Sequence, residues 1–379
     1  MKKWLWVLVG VIAITITIGF FVHQKEMKQP GVIKIVHISP LTGDAAVWGQ
    51  WEKEGINLAV EQINKNGGIK GRRLVVLHED SKADPKTAVS IIRRYIKVDK
   101  VKIFIGGTLS STTLAMAPIA EKNRVILLTP SAQSPKISEA GDYIFRLFIS
   151  SSGEGKYLYQ LAQKMGIKKP ALLYINNDYG VGLKDVIRKL FGEKTEILID
   201  SYEPQTTDFR SQLQKVKKFQ PDGIFLLGYP KDMALILVQM KEMGIKAKIF
   251  APDAFEAEEI IKIAKDAAES VYYVYPILPK LEQTLKVKKL FLERYKKDMN
   301  IYNAMGYDAV MILATAIKNS FEKYGKVDGE TVKKELYKLK NFPGVTGYIT
   351  FDKNGDVLER SMEARVVKNG RFVKLWEIK

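Results

Sequence analysis

VKIFIGGTLSSTTLAMAPIAEKNRVILLTPSAQSP, residues 101–135, carries the pattern that decides the fold. A short apolar run ends in Gly106 and Gly107 and passes into a Ser/Thr run suited to open a helix. Helical spacing then predicts a helix over 111–122, with Leu114, Pro118 and Ile119 within it, before a second apolar run, RVILLTP at 124–130. Strand, helix, strand in that order is the unit of a parallel sheet wrapped by helices.

The same alternation extends outward in both directions. Before it lie VIKIVHI (32–38) and RLVVLHE (73–79), with helical stretches predicted over 48–66 and 85–98. After YIFRLFI (143–149) the pattern restarts with ALLYI (171–175), EILIDSY (196–202), DGIFLLG (222–228) and KIFAP (248–252). Helices are predicted between these runs at 154–165, 181–191, 208–219 and 231–243. SVYYVYP (270–276) follows, then helices over 282–298, 304–322 and 329–339 and hairpin-like β segments to the end. The fold class expected is therefore α/β, with two doubly wound lobes joined by a multi-segment hinge near 148, 276 and 347. Residues 32–148 plus 277–346 form lobe 1, and 149–276 plus 347–379 form lobe 2.

The chain of 379 residues is long enough for two such cores. It has no cysteine, which excludes disulfides, thiolate metal sites and thiol nucleophiles. The net charge of +18 is spread over many helices and not gathered into an aromatic-interleaved stripe, so a solvated Lys/Glu-rich surface is expected, with no nucleic-acid partner. Trp4 to Val22 is apolar apart from Thr15 and Thr17 and follows Lys2 and Lys3, so residues 1–30 are expected to act as an export signal or anchor. Phe20, Phe21 and Val22 stand where a cleavage site needs small residues, which favours a retained N-terminal hydrophobic helix in the membrane. The remainder is then extracytoplasmic, on the outer face of the membrane or in a periplasm.

Open α/β sheets bind ligands beyond the carboxyl ends of their strands. The residues found there are hydroxyls, amides, aromatics and a carboxylate: Trp48 after the first strand, Ser110 after the third, and Ser131 and Gln133 after the fourth. In the second unit Tyr179, Tyr229 and Asp253 hold the corresponding places. Free N–H groups where a helix begins suit an anion at Ser110. Asp253 suits an ammonium, and Trp48, Tyr179, Tyr229 and Tyr307 suit the walls of an apolar pocket. Taken singly, Ser110 also reads as an N-cap, Asp253 as the cap of a helix over 255–264, and the aromatics as core residues. Their convergence on one crevice makes them ligand candidates. His23, His37 and His78 are too scattered to suggest a metal site or triad. GEGK (153–156) lacks the rest of a phosphate loop, and DKNGD (352–356) reads as a hairpin turn. No enzyme, cofactor or metal is expected.

From about residue 32 the chain resembles the leucine/isoleucine/valine-binding protein family, within the type I periplasmic binding proteins. The likeness rests on ISPLTGDAAVWGQ, GINLAVEQINKNGGIKGRRLVVLHEDSKADPKTAV, the 105–135 stretch, INNDYGVGL, GYPKDM, APDAF and GVTGYITFDKNGD. The resemblance implies a solute-binding component of an ABC importer, with permease subunits as partners and a small amino acid as ligand. A sensor feeding a signalling partner is the rival reading. It further implies that Ser110 holds a ligand carboxylate, that the Ser131 backbone oxygen and Asp253 receive its amino group, and that Tyr179 closes over it. Trp48 lines the side-chain pocket, with Tyr229 and Tyr307 at other aromatic positions. Gln133 departs from the threonine or serine usual in amino-acid binders, which leaves urea, short amides and aromatic acids open as ligands.

Overall fold

One parallel and one mostly parallel sheet organise the chain, as a computed structural model describing residues 31–357 and 360–378 shows. The first half runs β1 (Ile33–Ser39), α1 (Ala46–Lys65), β2 (Leu74–Asp80), α2 (Pro85–Lys97), β3 (Ile103–Gly106), α3 (Ser110–Asn123), β4 (Ile126–Thr129) and β5 (Ile144–Arg146). These strands form a parallel sheet of order β2-β1-β3-β4-β5. Helices begin where the sequence supplies caps: Asp84 accepts the Thr87 N–H at 2.8 Å ahead of Pro85 at the first turn of α2. The strands β3 and β4 are buried at every residue, which explains their unbroken apolar composition.

The second lobe repeats the plan with α4 (Ser151–Lys164), β6 (Pro170–Ile175), α5 (Asp178–Phe191), β7 (Leu198–Tyr202), α6 (Arg210–Phe219), β8 (Gly223–Leu227), α7 (Pro230–Glu242), β9 (Lys248–Ala251), α8 (Glu258–Ala264) and β10 (Val271–Pro276). Its sheet has the order β14-β13-β10-β9-β8-β6-β7, so β7-β6-β8-β9-β10 reproduces the order of the first sheet. Here the GEGK residues lie inside α4. The chain then returns to lobe 1 as α9 (Glu282–Tyr295), α10 (Ile301–Tyr324), α11 (Gly329–Lys338) and a small hairpin of β11 (Phe342–Gly344) and β12 (Gly347–Ile349). Strands β13 (Met362–Lys368) and β14 (Arg371–Ile378) close the second sheet with antiparallel pairing.

The fold class is the expected one, but the core packing moves the last crossing. Val345, Ile349 and Phe351 sit in the core of lobe 1, and the buried Arg146 binds Asp356 at 2.7 Å. The chain therefore leaves lobe 1 between Val357 and Met362, not at 347, because the apolar residues of the β11–β12 hairpin complete the lobe-1 core. DKNGD is the expected hairpin turn, with Asp352 Oδ1 accepting the N–H groups of Asn354 and Asp356 at 2.8 and 2.9 Å. The 4–22 segment lies outside the described residues; among the described residues no helix is long and apolar enough to cross a membrane.

One close helix crossing fixes the geometry of lobe 1. Gly55 of α1 packs on the Asn303 carbonyl of α10, and Gly306 of α10 packs on the Glu52 carbonyl of α1. A Cβ at either position would run into backbone, which cannot step aside as a side chain can. Gly306→Ala is accordingly expected to destabilise the protein by about 1–3 kcal/mol, read as a lowered urea midpoint at unchanged slope. A midpoint equal to that of the parent would show that the helices separate freely.

Candidate functional site

The site is built where both sheets change strand order, at the ends of β1 and β3 in one lobe and β6 and β8 in the other. After β3, Gly107 takes φ of 67° and packs against Thr113. A left-handed turn without a Cβ carries the backbone there from the strand into α3. That turn delivers Thr108 and Ser110 to the cleft. After β4, the loop of Ser131–Ser134 is pinned from beneath. Arg146 donates from Nη1 to the Gln133 and Ser134 carbonyls at 3.2 and 2.9 Å, and the Ser151 N–H donates to the Gln133 carbonyl at 2.8 Å.

Between the lobes lies a small cavity of about 30 Å³. Seven of the eight residues singled out from the sequence line it: Trp48, Ser110, Ser131 and Gln133 from lobe 1, and Tyr179, Tyr229 and Asp253 from lobe 2. The eighth, Tyr307, does not. It lies in a separate groove on lobe 1, its hydroxyl bonded to Gln62 of α1 at 2.5 Å. Its place in the cleft is taken by Tyr302, five residues earlier on α10 and about 140° round the helix. The signal for Tyr302 was present in the sequence: Asn300 and Asn303 form a reciprocal capping box, with both bonds at 3.0 Å, that starts α10 at Ile301 and not at 304. Tyr302 therefore sits in the first turn, at the rim of the cleft.

The lobes touch across this cavity. Gln133 Nε2 donates to Asp253 Oδ1 at 2.9 Å, and the Tyr302 hydroxyl donates to Asp253 Oδ2 at 2.6 Å. Trp48 meets Tyr229 edge-on with ring centroids 5.0 Å apart, and Tyr179 stacks on Tyr229 at 5.9 Å. At the rim Lys231 pairs with Asp44 at 3.0 Å and Lys136 with Asp178 at 3.2 Å; both are exposed and contribute little. Neither structural alternative for the polar candidates is realised. Ser110 is the first residue of α3 and its hydroxyl caps nothing in that helix, accepting instead from Gln133 N–H at 3.2 Å and Ser134 N–H at 3.0 Å. Asp253 opens a short 3-10 turn, and α8 starts only at Glu258.

Two acids that the sequence did not single out stand behind the cleft. Glu154 of α4 is fully buried and accepts the Asp253 N–H at 2.8 Å through Oε1. Burial, and then the charge of Asp253 beside it, push its carboxyl well above the usual range. On lobe 1 the buried Glu52 accepts the Thr108 hydroxyl at 2.6 Å and the Ser131 hydroxyl. Within lobe 2, Asp232 lies one turn from Tyr229 and accepts its N–H at 3.4 Å.

A buried, two-lobed cleft lined by hydroxyls, aromatics and a carboxylate defines a bilobed solute-binding protein, a class that holds its ligand and does no chemistry on it. The chain belongs to the periplasmic binding protein family, whose sequence profile matches residues 32–371. It is 32% identical to the leucine-, isoleucine-, valine-, threonine- and alanine-binding protein of Pseudomonas aeruginosa over 333 residues, 86% of this chain and 87% of that one. Among solved structures it is similar to the leucine-binding protein LivK of Thermotoga maritima, with a TM-score of 0.85, 30% identity, and coverage of 92% of this chain and 99% of that one. It is also similar to LivJ of Streptococcus pneumoniae, a branched-chain amino acid transporter substrate-binding protein in complex with isoleucine. That TM-score is 0.81, at 28% identity over 91% of this chain and 99% of that one.

Burial pushes the Asp232 carboxyl up to about 6. The folded chain then binds this proton more tightly than the unfolded chain. The stability it contributes is full below pH about 4 and is lost as the pH rises through about 6. Asp232→Asn keeps an acceptor for the Tyr229 N–H and removes the titration. Its melting temperature is expected to gain a few degrees on the parent between pH 4 and pH 8. A constant gap across that range would contradict the assignment.

Proposed function

We propose that this chain is the extracytoplasmic binding component of an ABC importer, and that it captures a zwitterionic amino acid with an apolar side chain by closing its lobes. The observation that carries this reading is the opposed polarity of Ser110 and Asp253. The Ser110 oxygen accepts two backbone N–H groups, so its proton is left to donate into the cleft. It stands at the start of α3, where the helix dipole also favours negative charge. Asp253, from the other lobe, offers a carboxylate to the same cavity. A ligand carboxylate at the first and an ammonium at the second would cross-link the lobes. Trp48, Tyr179, Tyr229 and Tyr302 supply apolar faces for the side chain.

The relatives support the choice of ligand class, since those named for leucine, isoleucine and valine are similar over most of their length. Lobe closure about the hinge segments is the motion that periplasmic binding proteins use, and the closed lobes would present one composite surface to permease subunits. The N-terminal apolar segment would hold the domain at the outer face of the membrane.

A thermal-shift panel of amino acids, urea, short amides and aromatic acids identifies the ligand, because a ligand that binds the folded state alone raises the melting temperature by mass action. Branched-chain amino acids are expected to give the largest shifts. In calorimetry, Asp253→Ala should weaken leucine by about 30-fold or more, the effect of truncating one partner of a buried charge pair. It should weaken the deaminated analogue 4-methylpentanoate far less. Equal losses for the two ligands would remove Asp253 as the ammonium partner.

A further inference from the structure

Ser131 and Thr108 line the cavity, yet neither hydroxyl proton points into it. Both are taken by Glu52, which lies outside the cavity lining and has no exposed surface. Thr108 gives its proton to Glu52 Oε2 at 2.6 Å, and its oxygen is 2.6 Å from the Ser39 hydroxyl, so it is fully engaged. Ser131 gives its proton to Oε1, with the Thr108 carbonyl a longer second acceptor at 3.3 Å, so it turns lone pairs to the cavity. Ser110 is the converse case, with its lone pairs used and its proton free. The two serines therefore present opposite polarities to one cavity, and a buried carboxylate makes the difference.

The other side of Glu52 is held by a chain of rings. His37 Nε2 lies 3.4 Å from Oε2, His37 Nδ1 lies 2.9 Å from His78 Nδ1, and His78 Nε2 lies 2.9 Å from Asn57 Oδ1. Burial, followed by the charge of His37, pushes His78 down to about 3, so this ring is neutral at ordinary pH. If the Asn57 oxygen accepts from His78, one proton lies between His37 Nε2 and Glu52 Oε2. If the Asn57 amide is reversed, His37 donates to Glu52. In both arrangements Oε1 remains an acceptor for Ser131.

We infer that Glu52 is a positioning residue that fixes the Ser131 hydroxyl as an acceptor, and so builds the lobe-1 half of an ammonium subsite facing Asp253. The inference rests on the amino-acid reading given above. Glu52→Gln keeps the size of the side chain but can place an amide N–H against the Ser131 oxygen. The Ser131 proton then loses its carboxylate acceptor and is divided between the Thr108 carbonyl, at 3.3 Å, and the cavity, where it repels an ammonium.

The test is calorimetry of parent, Glu52→Gln and Ser131→Ala with leucine and with 4-methylpentanoate, alongside circular dichroism of each protein. Glu52→Gln is expected to lose about 10-fold or more for leucine, the size of one charge-assisted hydrogen bond. It should lose little or nothing for 4-methylpentanoate. A packing defect alone would weaken both ligands alike. If Glu52→Gln does not fold, Ser131→Ala carries the test, with the same selective loss in smaller measure. Equal losses for both ligands in whichever variant folds would overturn the role of Glu52 while leaving the amino-acid reading intact. A parent protein that does not prefer leucine to 4-methylpentanoate would overturn that reading and this inference with it.

Discussion

The carboxylate of Asp253 is the group around which the closed molecule is arranged. It is buried in the cleft at 1% exposure, and a buried carboxylate without partners costs several kcal/mol. Its partners come from both lobes: the Gln133 amide and the Tyr302 hydroxyl reach it from lobe 1, while Glu154 holds its backbone N–H from within lobe 2. When the lobes part, water can replace the first two, but Glu154 travels with Asp253. In the proposed closing motion, the cost of burying Asp253 is met only in the closed state, which would tie lobe closure to the chemistry of one side chain.

Those partners are useful only because the framework holds them still. Tyr302 is carried by the first turn of α10, and α10 is locked to α1 through the Gly55 and Gly306 contacts with the carbonyls of Asn303 and Glu52. The same crossing therefore sets the height of Glu52 under Ser131 and of Tyr302 beside Asp253. Gln133 is fixed by other means, since Arg146 and the Ser151 N–H grip its carbonyl while Ser110 accepts its N–H. Arg146 is itself buried and bound to Asp356 at 2.7 Å. A residue beyond the last helix of lobe 1 thereby braces the ligand loop, and the β11–β12 hairpin belongs to the lobe that holds that loop.

Much of this was legible in the sequence for a simple reason. A buried parallel strand is a short apolar run, and the residue after it must face the crevice, so Trp48, Ser110, Ser131, Gln133, Tyr179, Tyr229 and Asp253 could be named by counting. Tyr307 failed because it was named for its aromatic type and from the resemblance, and neither shows which face of α10 meets the cleft. Tyr302, about 140° round the same helix, is the one that faces the cleft. The crossing near 347 failed for a related reason, since a short hairpin does not reveal which core it completes until Val345, Ile349 and Phe351 are seen packed. Glu52 and Glu154 were invisible in another way. Each is an acid in an amphipathic helix, where acids ordinarily face water, and only the fold shows that both face inward.

Gln133 gains a clearer meaning once its bond to Asp253 is known. As a substitute for a short hydroxyl it reads as an obstruction. Its neutral amide also satisfies Asp253 Oδ1 in the closed molecule, so an amine that reaches this oxygen meets an existing donor. A charge-assisted hydrogen bond is roughly twice as strong as a neutral one. An ammonium can therefore displace the amide with a net gain, while a neutral amide ligand exchanges like for like. A ligand shifts the balance between open and closed lobes only by its differential affinity for the two states. On the proposed amino-acid reading, the Gln133 bond raises the threshold for that shift and makes the cleft discriminate by charge at Asp253.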